Sequence, residues 1–500
     1  MRCRRFPTHL RFTPLVAVLL VGSPALLPAQ LISPKTVPVH QGEQFSIYPA
    51  QWPGMGGVSI ALADTLGDLW SNPAKAARLR VGSVQVMPFT HSATAGGGRS
   101  LPVSLLQTGG RLAGGALFTM QEVERRDAPF NATNSERRAS NAYYSGVVAA
   151  RLGPGAAVGA GVSYADLGGV DGVSALYAGS DRLRQSGRQV DARLGLTREF
   201  TSGATVEVVA VGHRYRMTHD VRYPETFIWP PTCQPWGDPA VPSCQPVTVP
   251  AREEVNLDRT NTAGVHAVYL TPPTATGWRV GYLLTANRLS HPKIPNYRIQ
   301  DIPRDPGHTN AFNVGFGLSR ALGQSTFALD VILEPMWSHT WADAGGDTTD
   351  VNGVVLPQGA HTIDNDFRFR NSRIHVGFAH DFPTESDSAM VFGIQVGLGM
   401  RSINYTLDQA NHVLRESRSQ DEAWTEWTPA FALRLRGRDL ELSYAVSVTC
   451  GSRCLSLGGD AVSVTAPPSG PGVIAAPNAP LNFDGGSASQ HRIMISIRMW

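Results

Sequence analysis

From Val81 onward, apolar and polar side chains alternate with period two, a pattern that only extended strands convert into two distinct faces. Within residues 189–200, Gln189, Asp191, Arg193, Thr197 and Glu199 alternate with Val190, Ala192, Leu194, Leu196 and Phe200, broken only by Arg198. Within 308–318, Phe312, Val314, Phe316 and Leu318 share one face, and Asn313, Gly315 and Gly317 share the other. Leu440, Leu442, Tyr444, Val446 and Val448 repeat the pattern against Glu441, Ser443, Ala445, Ser447 and Thr449.

A soluble sandwich also alternates, so the connections decide between the two architectures. After the first hairpin the short turns fall at 109–110, 153–154, 201–203, 272–276, 321–324, 383–388 and 436–438. Between them lie long loops near 121–141, 167–187, 217–257, 291–307, 340–364, 406–422 and 451–487. Strict interleaving of short and long connections is the layout of a transmembrane barrel, with tight periplasmic turns at one end and large loops at the other. The expected fold is therefore all-β: an antiparallel up-and-down transmembrane barrel of 14 to 16 strands over residues 81–500, placed in the bacterial outer membrane. Lipid offers the backbone no hydrogen bonds, so such a sheet must close on itself and turn its apolar face outward. Tyr143, Tyr144, Trp337, Trp341, Trp424 and Trp427 lie near strand ends, where amphipathic rings suit the membrane interface. The final strand, 491–500, alternates and stops at an aromatic, although Trp500 falls on the face opposite Ile493, Ile495, Ile497 and Met499. The expected partners include outer-membrane lipid and, during biogenesis, the barrel assembly machinery.

Residues 1–29 read as a signal peptide, with Arg2, Arg4, Arg5 and Arg11 ahead of an apolar run too short to span a bilayer as a helix. With 43 basic against 40 acidic residues there is no basic field of the kind nucleic-acid binding uses. In an exported chain, Cys233 with Cys244 and Cys450 with Cys454 are expected as local disulfides; zinc is the rival reading, and neither pair has a CxxC or HxxxH companion.

Residues 30–80 have a different character. Gly54, Met55, Gly56 and Gly57 form a turn-prone cluster. Ala61, Leu62, Ala63, Leu66 and Leu69 suit a short helix, and Asn72 before Pro73 caps a second one running to Leu79. This order, a glycine turn, a small-residue stretch with Asp64 and Asp68, and Asn72-Pro73-Ala74 just before a barrel, resembles the N-terminal region of FadL-type transporters and of the related PorV proteins. The tetrapeptide ending in Lys75 is closer to PorV. The resemblance implies a plug folded into a barrel of about fourteen strands, with Gly54, Gly56, Gly57, Asn72, Pro73 and Ala74 forming the gate.

No GxSxG, HExxH or phosphate-binding loop is present, and no metal or cofactor is expected. The inward face should carry Asp191, Arg193, Glu199, Glu207, Arg373, His375, Arg434 and Glu441, and the Pro-rich loop around 223–250 suits outside contacts. The leading expectation is a non-enzymatic channel for hydrophobic small molecules gated by the plug. The second is a PorV-like barrel that binds or shuttles secreted protein cargo in type IX secretion. A membrane-embedded hydrolase would need a Ser-His-acid cluster on one barrel face.

Overall fold

A computed structural model describes residues 43–93, 96–125, 138–170, 180–228, 247–291, 307–383, 390–451, 462–465, 482–485 and 487–499. One sheet dominates. Its first strand, β1, runs in two segments, Gly82–Val86 and Phe89–Ala93, interrupted at Met87 and Pro88. It is followed by β2 (Gly96–Gly109), β3 (Leu112–Arg125), β4 (Arg138–Gly153), β5 (Ala156–Leu167), β6 (Arg182–Glu199), β7 (Thr205–Tyr223) and β8 (Arg252–Leu270). The second half comprises β9 (Trp278–His291), β10 (Gly307–Leu322), β11 (Ser325–Asp343), β12 (His361–Pro383), β13 (Val391–Asn411), β14 (Glu416–Arg436), β15 (Leu440–Cys450) and β16 (Ser487–Met499). Every neighbouring pair is antiparallel, and β16 bonds to both segments of β1 as well as to β15. Counting β1 once, the seventeen hydrogen-bonded segments close into a barrel of sixteen strands.

Closure leaves no edge, and burial alternates along the strands as lipid and lumen require. Leu194, Leu284 and Leu333, at 65%, 55% and 55% exposure, face outward from strands whose alternate residues are buried. That exposure marks a belt built for lipid and places the barrel in the outer membrane. Tyr144 and Trp337 lie on the outward face as expected. Tyr143 and Trp424 do not: both are buried on the lumenal face. In the adjacent pair 143–144 the pleat can send only one ring to lipid.

The strands overrun the span that lipid demands. β12 is 23 residues long and β13 and β14 are 21 each, against roughly 9–11 for a tilted crossing. Their far ends project into water, and there the polarity of the faces inverts. On β12, Ile374, Phe378 and Phe382 point outward in the lipid zone, whereas beyond it Phe367 and Phe369 turn inward and Arg368 is exposed outside. The same overrun removes the expected long loop at 406–422, because β13 and β14 meet through a tight turn at 412–415 with Arg415 at φ 55°.

Residues 43–80 occupy the lumen. The helix expected over 61–69 is absent: helical geometry is confined to Asp68–Ser71, and the preceding stretch runs irregularly because wall contacts hold its backbone. The second element forms where expected, as a 3₁₀ helix (Pro73–Arg78) with Asn72 Oδ1 accepting from Ala74 N at 3.1 Å. The leader at 1–29, Cys233, Cys244, Cys454, Trp500 and most of the Pro-rich loop lie outside the described residues.

Candidate lumenal site

The plug meets the wall where the inward face is glycine. At β12 and β13, Gly377 and Gly397 receive Met55 and Gly56 so closely that a Cβ on Gly397 would lie 2.1 Å from Gly56 N. Gly56 and Gly57 take φ of 66° and 92°, which turns the chain back from this contact. Gly54 N donates to Gln395 Oε1 at 3.0 Å, and Gln395 Nε2 donates to Gln51 O at 3.0 Å. At β9 and β10, Gly281, Gly315 and Gly317 accommodate Ile60, whose N–H and that of Ser59 donate to Asp330 Oδ2 at 3.0 and 2.6 Å. At β5 and β6, Gly159, Gly161 and Gly195 accommodate Pro73, Ala74 and the Asn72 side chain. All six residues expected in the plug gate therefore lie against or beside the wall, in two groups on opposite stretches of the sheet.

Charge reinforces the second group. Lys75 Nζ lies 3.0 Å from Asp68 and 2.8 Å from Glu207, and Arg78 reaches Glu207 at 3.4 Å. Burial alone would lower the Lys75 pKa, but Asp68 and Glu207 outweigh it and hold the ammonium above its usual range. Arg193, paired with Asp191 at 2.7 Å, donates to Trp70 O at 3.0 Å. Arg434 bonds Asp381 at 2.6 Å and stacks over Trp52. Of the residues expected on the inward face, Asp191, Arg193, Glu207, His375 and Arg434 thus serve to seat the plug, with Gly57 against the His375 ring.

The apolar side of the plug packs against one part of the wall. Ile47, Leu69, Trp70 and Ala76 pack with Leu106, Leu117, Tyr143 and Ala157 of β2 to β5. On the opposite wall, beyond the plug, lies an inward-facing apolar group: Leu289, Met336, Phe367, Phe369, Ile403, Tyr405, Leu407 and Trp424. Its rings touch, with Tyr405 centred 5.8 Å from Phe367, 5.4 Å from Phe369 and 6.5 Å from Trp424. Tyr405 donates to Glu422 at 2.6 Å.

Between this group and the plug are Arg373, held by Glu334 at 3.0 Å, and Arg401, whose buried Nε has no hydrogen-bond partner among the described residues. Sequence reading missed this site. Its signal is the phase reversal in β12, where odd-numbered Phe367 and Phe369 give way to even-numbered Phe378 and Phe382.

For covalent chemistry, Ser325 Oγ lies 2.8 Å from His380 Nδ1 at the periplasmic end of β11 and β12, and no carboxylate among the described residues bonds the other ring nitrogen.

A closed sixteen-stranded sheet, a lipid belt and an N-terminal segment docked inside it define an outer-membrane β-barrel. No family model matches the chain, and no curated protein does. Among solved structures it is similar to a Pseudomonas aeruginosa FadL homologue, with 10% identity, 90% of this chain and 98% of that one covered, and a TM-score of 0.41. It is similar also to the Pseudomonas putida toluene transporter TodX, with 10% identity, 89% and 96% covered, and a TM-score of 0.36. For the Escherichia coli ferric-catecholate import receptor Fiu, identity is 9%, coverage 84% and 82%, and the TM-score 0.34.

Proposed function

We propose that the protein passes hydrophobic small molecules across the outer membrane without covalent chemistry, with the plug as its gate. The observation that carries this reading is the apolar group around Tyr405. A barrel lumen is wet and polar by default, so a cluster of buried apolar and aromatic side chains packed against one another on its inner wall supports a route along which an apolar solute meets less polar surface than elsewhere in the lumen. Arg401, with its unpartnered Nε at the base of the group, suits an occupant with one anionic end. The plug lies directly below, its Gly56 carbonyl facing Gly399, so an occupant must pass it to reach the periplasm.

Deleting residues 50–75 leaves the sheet intact and is expected to change uptake of an apolar solute into vesicles reconstituted with the barrel. Unchanged uptake would refute the gating role. Capture of secreted protein by the intact barrel, with solute uptake indifferent to the deletion, would favour the cargo-binding alternative.

A further inference from the structure

We infer that the outward face of β6, β7 and β8 binds a lipid headgroup bearing two or more phosphates in the outer leaflet. Arg188, Arg216 and Arg259 stand directly opposite one another in the ladder, Arg188 against Arg216 and Arg216 against Arg259. Arg214 joins them one outward position below, between Val190 and Asn261. Directly opposed positions on a sheet bring Cβ atoms within about 5.5 Å, and like charges placed so are destabilising. Among the described residues no carboxylate pairs with Arg188, Arg214 or Arg259. Three outward rows further from the membrane centre the same strands do supply acids: Arg182 pairs with Asp220 and Glu253, and Arg222 with Asp181. Nearer the lipid the arginine row itself holds one acid, Asp166 of β5 opposite Arg188, which forms no ion pair with it, so three arginines there face a single carboxylate.

The depth of the cluster follows from the register. Arg188 and Arg198 share one face of β6 and bracket the apolar Val190, Ala192, Leu194 and Leu196. Ten residues at about 3.3 Å each, tilted by about 40°, span about 25 Å, the height of a barrel's apolar belt. The same interval separates Val206 from Arg216 and Tyr269 from Arg259, which are in register with Arg198 and Arg188. The arginine row therefore lies at the outer headgroup level, the only depth at which a phosphate can sit with acyl chains beneath it. Immediately below, Ala192, Gly212 and Ala263 form one row of small residues, and Gly212 has open space around its Cβ position. That row leaves a shallow apolar groove under the charges for an acyl chain. A free phosphate would use the arginines alone; a phosphorylated lipid uses both.

The test takes the full-length barrel in detergent and measures bound lipid by native mass spectrometry with bisphosphorylated lipid A, monophosphorylated lipid A and phosphatidylcholine. The wild type is expected to retain the bisphosphorylated lipid in preference to the other two. The variant R188Q/R216Q/R259Q should lose at least about tenfold in that retention, since it removes the charge-assisted contacts to phosphate. R182Q/R222Q, which removes the same kind of charge from the acid-paired row, should retain it. Folding of each variant is checked by heat-modifiable migration. Equal retention by the triple variant, equal binding of phosphatidylcholine, or complete displacement by millimolar inorganic phosphate would each overturn the inference.

Discussion

At Gly397 a single missing methyl group decides whether the plug can dock. Any Cβ there would stand 2.1 Å from Gly56 N and 2.2 Å from the Met55 carbonyl carbon, so the obstacle is backbone and not a side chain that could rotate away. Gly397→Val is expected to expel the 54–57 turn at a cost of at least about 1–3 kcal/mol, the usual range for overpacking, while the barrel still closes. Hydrogen exchange at the Met55 and Val58 amides, bonded to Trp52 O and Met55 O in the docked turn, would report the loss as faster exchange. Gly212→Val, on the lipid face with nothing near its Cβ position, should leave those amides protected. The glycines of these sockets were partly visible in the sequence, since Gly315 and Gly317 occupy the inward phase of an alternating strand. Their partner was not. Nothing local in residues 58–67 says that Ile60 will be fixed by Asp330, a residue 270 positions away, and that contact defeats the helix which Ala61 to Leu69 favour on their own.

On β6, Leu194 lies near the middle of the interval between Arg188 and Arg198 and is 65% exposed. Leu194→Arg should cost about 2–4 kcal/mol, the penalty for a cation on the lipid face at the midplane. Val190→Arg, beside the existing Arg214, should cost no more than about 1 kcal/mol, as expected near an interface. Urea unfolding in lipid vesicles measures both, and equal penalties would move the membrane away from this belt. The strands themselves were legible because two solvents, lipid and lumenal water, impose opposite faces on one pleat. Strand ends were less so. Beyond the headgroups both faces meet water, the rule that placed apolar residues outside lapses, and Phe367, Phe369, Tyr405 and Trp424 gather inside. A reading that assigned Trp424 to the interfacial belt could not foresee the inversion, because it needs the height at which β12 to β14 leave the membrane.

For the molecule as a whole, the plug is a separate body whose seating can respond to pH. Its internal fold turns on Asp64, whose carboxylate accepts from the backbone N–H groups of Gln51 at 2.7 Å, Leu66 at 2.9 Å and Gly67 at 2.8 Å. Burial, and after it the neighbouring Asp68, push its pKa up to about 6 from 3.8, against the lowering effect of those three bonds. The seated plug therefore binds a proton more readily than the released one. Its extra stability is complete below pH 4 and is lost as pH rises through 6, amounting to on the order of 2–3 kcal/mol. The raised pKa of Lys75 acts far above this window, while Glu207, kept charged by Lys75 and Arg78 despite burial, works in the opposite sense only at the acid edge, where it begins to protonate in the released state. Asp64→Asn keeps the size of the side chain and one acceptor oxygen but cannot titrate, so its plug should be weaker at pH 4 and lose no seating between pH 4 and 6.5. Protection factors of the Trp70 and Ala74 amides, corrected for intrinsic exchange, should fall from pH 4 to 6.5 in the wild type but not in Asp64→Asn, where the remaining Glu207 contribution makes them rise slightly. A wild-type plug equally protected at both values would mean that Asp64 is already charged when seated, and that the gate does not sense acid through this residue.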